Sequence, residues 1–336
     1  RKDALLDRKH ELESEHSPGG ASERAAELER IKRELSVVNN NLKGIAALQD
    51  RLDEPGKGQP KAYLLGFEPG RLGDRDGDGM PDDDGRVVLA VGNPDTADNV
   101  ATYVPGTGND LGGVAGAVGY TDRMARDAET TAPHDDTVVI MWLGYDAPDD
   151  PLLNSPSGEY AQAASDDLRR FQDGLRATHE GERSHNTVLG HSYGSTVIGY
   201  AARDDLDGNG TPDGINADEL VFVGSPGVGV DRASELGMDP DHVWATRAEH
   251  DMIKRVPDFW FGTDPSHDRF GGQGFVSGAG DPDDEKRTHS GYWDDEKARK
   301  GMAGIITGNY DTVPGATPPS GPTPRPSPGP SSTPPR

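Results

Sequence analysis

Short apolar runs recur between residues 60 and 311 of this chain, and the later runs alternate with stretches compatible with helices. The runs read AYLLGF, RVVLAVG, ATYVPGTG, DTVVIMWLGY, NTVLGHS, ELVFVGSPG and HVWATRA, and the intervening stretches include EYAQAASDDLRRFQDGLRATHEG and YGSTVIGYAARDD. Strands that alternate with helices favour a mostly parallel sheet with helices on both faces. A turn-rich insert joins the first two runs, so these two could instead pair as a hairpin at one edge. The sequence therefore predicts an α/β fold.

Residues 1–58 differ from this pattern in being charged, poor in glycine and helical. Their apolar residues recur at spacings of three and four, which places one apolar stripe on a helix. The stripe consists of Leu28, Ile31, Leu35, Val38, Leu42, Ile45 and Leu48. The segment EHSPGG separates this helix from an earlier charged helix at 1–15. Two interpretations stay open: a helical hairpin or short coiled coil packed on the main domain, or an arm that binds a protein partner.

The other end of the chain, residues 312–336, is rich in Pro, Ser and Thr and cannot bury a core. We expect a disordered linker there, after a main domain that covers 59–311. Linkers of this kind join exported or cell-wall-linked modules, which favours an extracellular or cell-wall-associated setting. No signal peptide is visible, but the chain begins at Arg1 and ends inside the linker, so we interpret it as a segment of a longer protein.

The charge balance narrows the classes of partner. The 34 Lys and Arg residues against 59 Asp and Glu residues give a formal net charge of −25. So negative a surface repels phosphate backbones and anionic lipid headgroups, and we therefore expect no nucleic acid partner. No apolar run reaches the roughly 20 residues that a membrane-spanning helix needs. The chain has no cysteine, which excludes disulfides, thiolate metal sites and a cysteine nucleophile.

One serine lies in a pattern that carries chemistry. Gly190-His191-Ser192-Tyr193-Gly194 matches G-x-S-x-G and lies between an apparent strand and an apparent helix. A sharp strand-to-helix turn holds such a serine in a strained backbone conformation, and only small residues fit two positions before and after it. With 45 glycines in the chain, the match could also arise by accident. Its placement after a strand and before a helix favours a nucleophile.

A nucleophilic serine in this arrangement needs an acid and a base, which follow it along the chain in that order. Asp251 follows the strand-like run HVWATRA and is the predicted acid, which would orient the imidazole of the base. His289, in RTHSGYWDD before the last helix-like stretch, is the predicted base. His267, in the loop GTDPSHDRFGG, is the reserve candidate. His242 begins a strand and His250 adjoins the acid in sequence, which argues against both.

Two backbone N–H groups are expected to bind the oxyanion that forms when the serine attacks a carbonyl. The first is the N–H of Tyr193, the residue after the serine, and the second comes from a loop after an early strand. The run ATYVPGTGND supplies that loop, and we assign the second donor to Gly106 or Thr107. An ordinary Gly/Pro turn would have the same sequence.

Several separated motifs support a family resemblance over residues 60 to 311. YVPGTG, WLGYDAP, GHSYGS, VFVGSPGVGV, GTDP, FGG and HSGYWD together resemble an uncharacterised α/β-hydrolase family found mostly in high-GC bacteria. GSPGVGV and AEHDMIKRVP are also similar to segments of the fungal-type triacylglycerol lipases. The resemblance implies the α/β-hydrolase fold and a triad of Ser192, Asp251 and His289. It implies no substrate.

Two acidic loops share the pattern D-x-D-G-[D/N]-G-x-P-D, at 74–82 and 205–213. Oxygen ligands at alternating positions around a turn suit calcium, and the loops resemble those of EF-hand and thrombospondin type 3 proteins. The candidate ligands are Asp74, Asp76, Asp78, Met80, Asp82, Asp205, Asp207, Asn209, Thr211 and Asp213. Gly85 and Asn216 stand where an EF-hand has its twelfth-position glutamate, which excludes a full EF-hand. Structural calcium or a plain Asp/Gly turn are the two interpretations.

These features together predict a serine hydrolase that cleaves an ester or related acyl bond of a small molecule and needs no cofactor for catalysis. Two alternatives stay open: an acyltransferase with the same three residues, or a non-catalytic, calcium-stabilised module of a larger exported protein. Five aromatic residues could line an acyl pocket or simply pack in the core. They are Tyr145, Trp260, Phe261, Tyr292 and Trp293.

Overall fold

The computed structural model describes residues 1–14, 20–53, 56, 58–69, 85–148, 158–204 and 208–316. The helices in these ranges are α1 (Lys2–Ser14), α2 (Ala21–Asp53), α3 (Val114–Thr131), α4 (Glu159–Thr178), α5 (Tyr193–Arg203), α6 (Asp258–Phe261), α7 (Glu285–Ser290) and α8 (Glu296–Ile306). The strands are β1 (Ala62–Glu68), β2 (Arg86–Val91), β3 (Asn99–Val104), β4 (Thr137–Leu143), β5 (His185–His191), β6 (Glu219–Val223), β7 (Val243–Thr246) and β8 (Gln273–Gly274).

All of these strands belong to one sheet in the order β1-β2-β4-β3-β5-β6-β7-β8. In this spatial order, every neighbouring pair from β4 onward is parallel. Strand β2 pairs antiparallel with both β1 and β4. The hairpin alternative for the first two apolar runs is therefore correct. The predicted α/β class with a mostly parallel sheet is confirmed.

Strand β4 shows why helices cover both faces of the sheet. Val138 and Ile140 belong to an apolar cluster that includes Leu175 of α4, whereas Val139 and Met141 belong to another that includes Ala128 of α3. Helix α3 connects β3 to β4, and α4 connects β4 back across β3 to β5. Connections between parallel strands are right-handed, so these two helices, which travel in opposite directions across the sheet, cover opposite faces. From Val138 to Leu143 this strand is apolar and buried, as expected of a strand that is covered on both faces.

The chain reverses its direction of travel across the sheet between β3 and β5. From β3 it moves to β4 on one side, and it then crosses to β5 on the other side of β3. The loops that follow β3 and β5 therefore meet at the carboxyl ends of adjacent parallel strands, where open α/β sheets bind their ligands. Both the G-x-S-x-G turn and the YVPGTG loop lie at this edge.

The first N-terminal helix packs on the second, and the second packs on the main sheet domain. Leu12 of α1 meets Ile31 and Leu35 of α2 in a small apolar cluster. Further along α2, Gly44 lies so close to the carbonyl oxygen of Leu111 that no Cβ atom would fit. No helix in the described ranges is both long and apolar enough to serve as a membrane span. The predicted linker lies outside these ranges from residue 317 onward.

Candidate active site

Ser192 lies in a strained turn between β5 and α5. Its φ is 53° and its ψ is −130°, and among the described residues it is the only non-glycine with a positive φ. A Cβ atom on Gly190 would lie 2.6 Å from the backbone nitrogen of Ser195, and one on Gly194 would collide with the carbonyl oxygen of Val104. The turn therefore requires glycine at both flanking positions. A strained residue held this firmly is typical of a functional site.

The structure brings Ser192, His289 and Asp251 into one hydrogen-bonded chain. His289 Nε2 lies 2.8 Å from Ser192 Oγ, and His289 Nδ1 lies 2.8 Å from Asp251 Oδ1 and 3.0 Å from Oδ2. The three residues come from the end of β5, from α7 and from the segment after β7. Ser192 is 2% exposed and Asp251 is fully buried. The imidazole therefore bridges a buried carboxylate and a buried hydroxyl.

Asp251 is held as an ionised acceptor. Burial raises the pKa of Asp251, but hydrogen bonds from His289, Tyr292 and the backbone of Ile253 outweigh it, and the pKa lies below its usual value. Tyr292 donates to Oδ2 at 2.5 Å and the N–H of Ile253 donates to Oδ1 at 2.8 Å. Burial and the neighbouring carboxylate raise the pKa of Tyr292, so its hydroxyl keeps its proton. An ionised carboxylate here fixes the Nδ1–H tautomer of His289.

His289 lies on a short helix where the sequence indicated a loop. Helix α7 begins after Asp284, whose side chain accepts a hydrogen bond from the N–H of Arg287 at 3.0 Å. The Asp cap starts a helix too short for its pattern to show in the sequence. His191 lies next to His289 in space, with 2.8 Å between its Nε2 and the carbonyl oxygen of His289. The serine motif alone indicates no role for His191, because only the fold brings it next to the backbone of His289.

The loop after β3 lies against Ser192. A Cβ atom on Gly106 would be 2.7 Å from Ser192 Cβ and 3.2 Å from the backbone nitrogen of Tyr193. The N–H of Tyr193 lies in the first turn of α5, directly after the serine. Gly106 is buried and Thr107 is half-buried, and the N–H of neither residue donates to any group in the described ranges. The N–H groups of Gly106 and Thr107 are thus available to a ligand next to the hydroxyl of Ser192.

The other candidate histidines have different hydrogen-bond partners in the described part of the chain. His267 is exposed, and its Nδ1 accepts from the backbone of Arg269 at 3.4 Å. His242 is paired with Glu219, with 2.7 Å between its Nδ1 and Oε1. The backbone N–H of His250 donates to the carbonyl of Ala279. The structure therefore offers His289, and not the reserve His267, to Ser192.

The five candidate pocket aromatics are mainly core residues. Four of them are at most 3% exposed and belong to the main apolar cluster, and the fifth is partly buried against it. The buried four are Tyr145, Phe261, Tyr292 and Trp293, and the fifth is Trp260. The packing interpretation accounts for them. Two of them also make side-chain hydrogen bonds within the described residues. Tyr292 donates to Asp251 and accepts from the N–H of Ala248 at 3.0 Å, and Tyr145 donates to the carbonyl of Pro105.

Most of the predicted calcium ligands lie outside the described residues. This holds for the whole 74–82 loop and for 205–207. Of the remaining three, Asn209 accepts from the backbone of Thr211 at 2.8 Å, and the N–H of Asp213 donates to the carbonyl of Asp204. In the part of the chain that the structure covers, no group of three or more His, Cys, Asp or Glu side chains could hold a metal. Calcium stays a prediction, which thermal unfolding with calcium and with a chelator tests; an unchanged transition would remove it.

Comparison with known proteins places the chain in a family. A sequence model described as alpha/beta hydrolase matches residues 80–260. An uncharacterised protein of Mycobacterium tuberculosis is 29% identical over 295 residues, which cover 78% of this chain and 42% of the relative. An uncharacterised protein of Mycobacterium bovis is 34% identical over 194 residues, which cover 54% of this chain and 69% of the relative. The chain thus spans less than half the length of the first of these relatives.

Solved structures show weaker likeness. A structure of arylesterase covers 80% of this chain and 91% of its own, with 11% identity and a TM-score of 0.41. Trichoderma reesei cutinase with a phosphonate inhibitor covers 58% of this chain and 77% of its own, with 15% identity and a TM-score of 0.33. The match of the family model to more than half of the sequence is the finding that assigns the family. The chain belongs to the alpha/beta hydrolase family.

Proposed function

We propose that this chain is a serine hydrolase that cleaves a carboxylic ester, or a related acyl bond, through an acyl-enzyme. The observation that carries the proposal is the position of His289, whose two ring nitrogens reach Asp251 and Ser192 at 2.8 Å each. A nucleophile and its base within hydrogen-bond reach, with a third group orienting the base, is the arrangement that covalent catalysis by serine needs.

Acylation begins with a proton transfer. Asp251 accepts the Nδ1–H of His289, which leaves the lone pair of Nε2 facing Ser192 Oγ. As Oγ attacks the carbonyl carbon of the substrate, its proton passes to Nε2 and the carbonyl oxygen becomes an oxyanion. The buried carboxylate stabilises the imidazolium that forms. The tetrahedral intermediate collapses, the bond to the leaving alcohol breaks, and Nε2 gives its proton to that alcohol.

Deacylation repeats these steps with water. Nε2 takes a proton from water, the resulting oxygen attacks the acyl carbon, and the ester bond to Ser192 breaks as its Oγ regains the proton. The acid is released and the enzyme is restored. During both halves the oxyanion lies where the backbone N–H groups of Tyr193 and of Gly106 or Thr107 would bind it, at the close contact of Gly106 with Ser192.

An ester is preferred to a peptide as the substrate because an alkoxide or phenoxide leaves more readily than an amine anion. Protonation of the leaving group by the imidazolium then matters less for breaking the bond.

The test is hydrolysis of p-nitrophenyl esters of increasing acyl length. We expect turnover by the wild type and loss of at least about 10³-fold in kcat in Ser192→Ala. Ser195→Ala is the matched control, because this buried serine lies three residues further on and donates to the carbonyl of Gly190 at 3.1 Å. The control should keep kcat within a few fold. Equal turnover by Ser192→Ala and wild type, or no turnover of any ester, would refute the proposal.

A further inference from the structure

Three consecutive carbonyl groups in the loop after β3 are held by two side chains. The hydroxyl of Tyr145 donates to the carbonyl oxygen of Pro105 at 2.6 Å. The side-chain amide of Asn109 donates from Nδ2 to the carbonyl oxygens of Gly106 at 2.9 Å and Thr107 at 3.3 Å. The loop is therefore fixed at each of its peptide units from 105 to 108.

Holding these carbonyls also sets the direction of two N–H groups. In a planar trans peptide unit the N–H points away from the carbonyl of the same unit. Tyr145, by binding the Pro105 carbonyl, fixes the N–H of Gly106, and Asn109, by binding the Gly106 carbonyl, fixes the N–H of Thr107. Neither N–H has an acceptor in the described ranges, although Gly106 is buried. Buried donors are rarely left without a partner, which points to a ligand beside Ser192.

The side chains of Tyr145 and Asn109 are both suited to hold the loop after β3 in one conformation. Tyr145 is 3% exposed and its ring stacks on Trp142 with centroids 6.2 Å apart. Burial raises the pKa of Tyr145, so that its hydroxyl remains a donor. Asn109 is half-buried, and the two carbonyls are the partners of its amide in the described part of the chain. The adjoining N–H of Gly108 donates to the carbonyl of Pro148 at 3.2 Å, which closes the loop on its far side.

We propose that Asn109 and Tyr145 are positioning residues for the oxyanion donors of this loop. The inference rests on the proposed function and names the groups that aim the second donor of that same site. Hydrogen-bond donors contribute to catalysis when they are already oriented toward the position where charge develops. Without the two clamps, the peptide units would rotate, and the N–H groups would have to be reoriented at each turnover.

Tyr145→Phe and Asn109→Asp test the two clamps separately. The first keeps the ring and its packing, and the second keeps the shape but replaces the donating amide by a carboxylate, which repels the carbonyls. We expect each to lower kcat by about 10- to 100-fold, somewhat less than deletion of an oxyanion donor, with KM changed less than about threefold. Affinity for a trifluoromethyl ketone, which forms a tetrahedral adduct on a serine, should fall in parallel with kcat.

Two matched variants separate positioning from stability. Tyr310→Phe removes a tyrosine hydroxyl that donates to Glu219, and Asn93→Asp replaces an asparagine that binds Thr96 in another loop. The only effect expected of either variant is a lower melting temperature, and kcat per active site should be unchanged. The endpoint of fluorophosphonate labelling counts the active sites.

The outcomes are distinguishable. A wild-type kcat per labelled site in both Tyr145→Phe and Asn109→Asp would overturn the inference while leaving the serine mechanism standing. A rise in KM alone, with unchanged affinity for the ketone, would overturn it as well. A wild-type protein that hydrolyses no ester and is not labelled would overturn the proposed function, and the inference would fall with it.

Discussion

The imidazole of His191 donates a hydrogen bond from Nε2 to the backbone carbonyl oxygen of His289, across 2.8 Å. The carbonyl can only accept, so the proton of His191 is on Nε2. Burial, together with the nearby His289, lowers the pKa of His191 to about 3, which keeps this ring neutral near pH 7. Its edge also packs on Trp293, with ring centroids 4.9 Å apart. His191, the residue before the serine, therefore holds the backbone of His289, the proposed base.

His191→Phe should lower kcat while leaving the protein folded, because a ring of similar size remains but the donor to His289 is lost. A shift of about 1 Å in the base is enough to cost about 10²-fold in rate, and we expect a loss of about 10- to 100-fold. His191→Gln retains an N–H donor and should recover part of the rate. Ester hydrolysis measures both; equal rates in wild type and His191→Phe would show that the contact positions nothing.

Asp251→Asn should reduce kcat by roughly 10⁴-fold, as replacement of the acid does in a protease triad, because the amide no longer fixes the tautomer of His289. Asp283→Asn, in an exposed loop, is the control and should have wild-type kcat. A loss below about tenfold in Asp251→Asn would contradict the role of the acid.

Asp251 should also contribute to the acid dependence of stability. Its folded-state pKa lies below the unfolded value of about 3.9, so its stabilisation is present above that pH and is lost as the pH falls through the folded pKa. The free energy of unfolding, measured with denaturant between pH 5 and pH 2, should therefore fall less steeply with decreasing pH in Asp251→Asn than in the wild type. Identical pH slopes would contradict the depressed pKa.

A second buried pair should give the opposite pH dependence. A hydrogen bond to Glu219 raises the pKa of His242, with smaller contributions from Asp239 and Asp241. The stabilisation from this pair is therefore complete below the unfolded histidine pKa of about 6.5, and it is lost as the pH rises through the folded value. In His242→Gln, the fall in the free energy of unfolding above pH 6.5 should be smaller than in wild type. His134→Gln, at an exposed position, should keep the wild-type slope, and a wild-type slope in His242→Gln would refute the assignment.

The helical arm should be coupled to the domain through Arg51. Its guanidinium lies 2.9 Å from Asp122 on α3 and donates to the carbonyl of Pro60 at 2.9 Å, and both charged side chains are under 10% exposed. Arg51→Ala leaves a buried carboxylate without its partner, which should cost about 3–5 kcal/mol in the free energy of unfolding. The exposed Arg30–Glu34 pair on the same helix is the comparison, and Arg30→Ala should cost under about 1 kcal/mol. Equal losses in chemical denaturation would contradict this coupling.

The sequence could suggest Ser192, Asp251 and His289 as candidates because the first two each follow a recognisable strand-like run and the third precedes the last helix-like stretch. Ser192 also has its two glycines, whose necessity the close contacts at Gly190 and Gly194 now explain. The sheet could be predicted because β3 to β6 each contain a short run of apolar or β-branched residues that is followed by turn residues.

What the sequence did not predict depends on contacts between distant segments. Strand β8 is two residues long, Gln273–Gly274, and exists through its pairing with β7. Tyr145 was a candidate for an acyl pocket, but its hydroxyl instead holds the Pro105 carbonyl, 40 residues away. No pattern in the sequence marks Asn109 or His191 as supports, since their partners are defined by the fold.

The most direct measurement is reaction of the intact protein with a fluorophosphonate, followed by mass mapping of the modified peptide. We expect one adduct, on Ser192, that is absent in Ser192→Ala, forms much more slowly in His289→Ala, and forms at the wild-type rate in His267→Ala. An unmodified wild-type protein, an adduct elsewhere, or an undiminished rate in His289→Ala would contradict it.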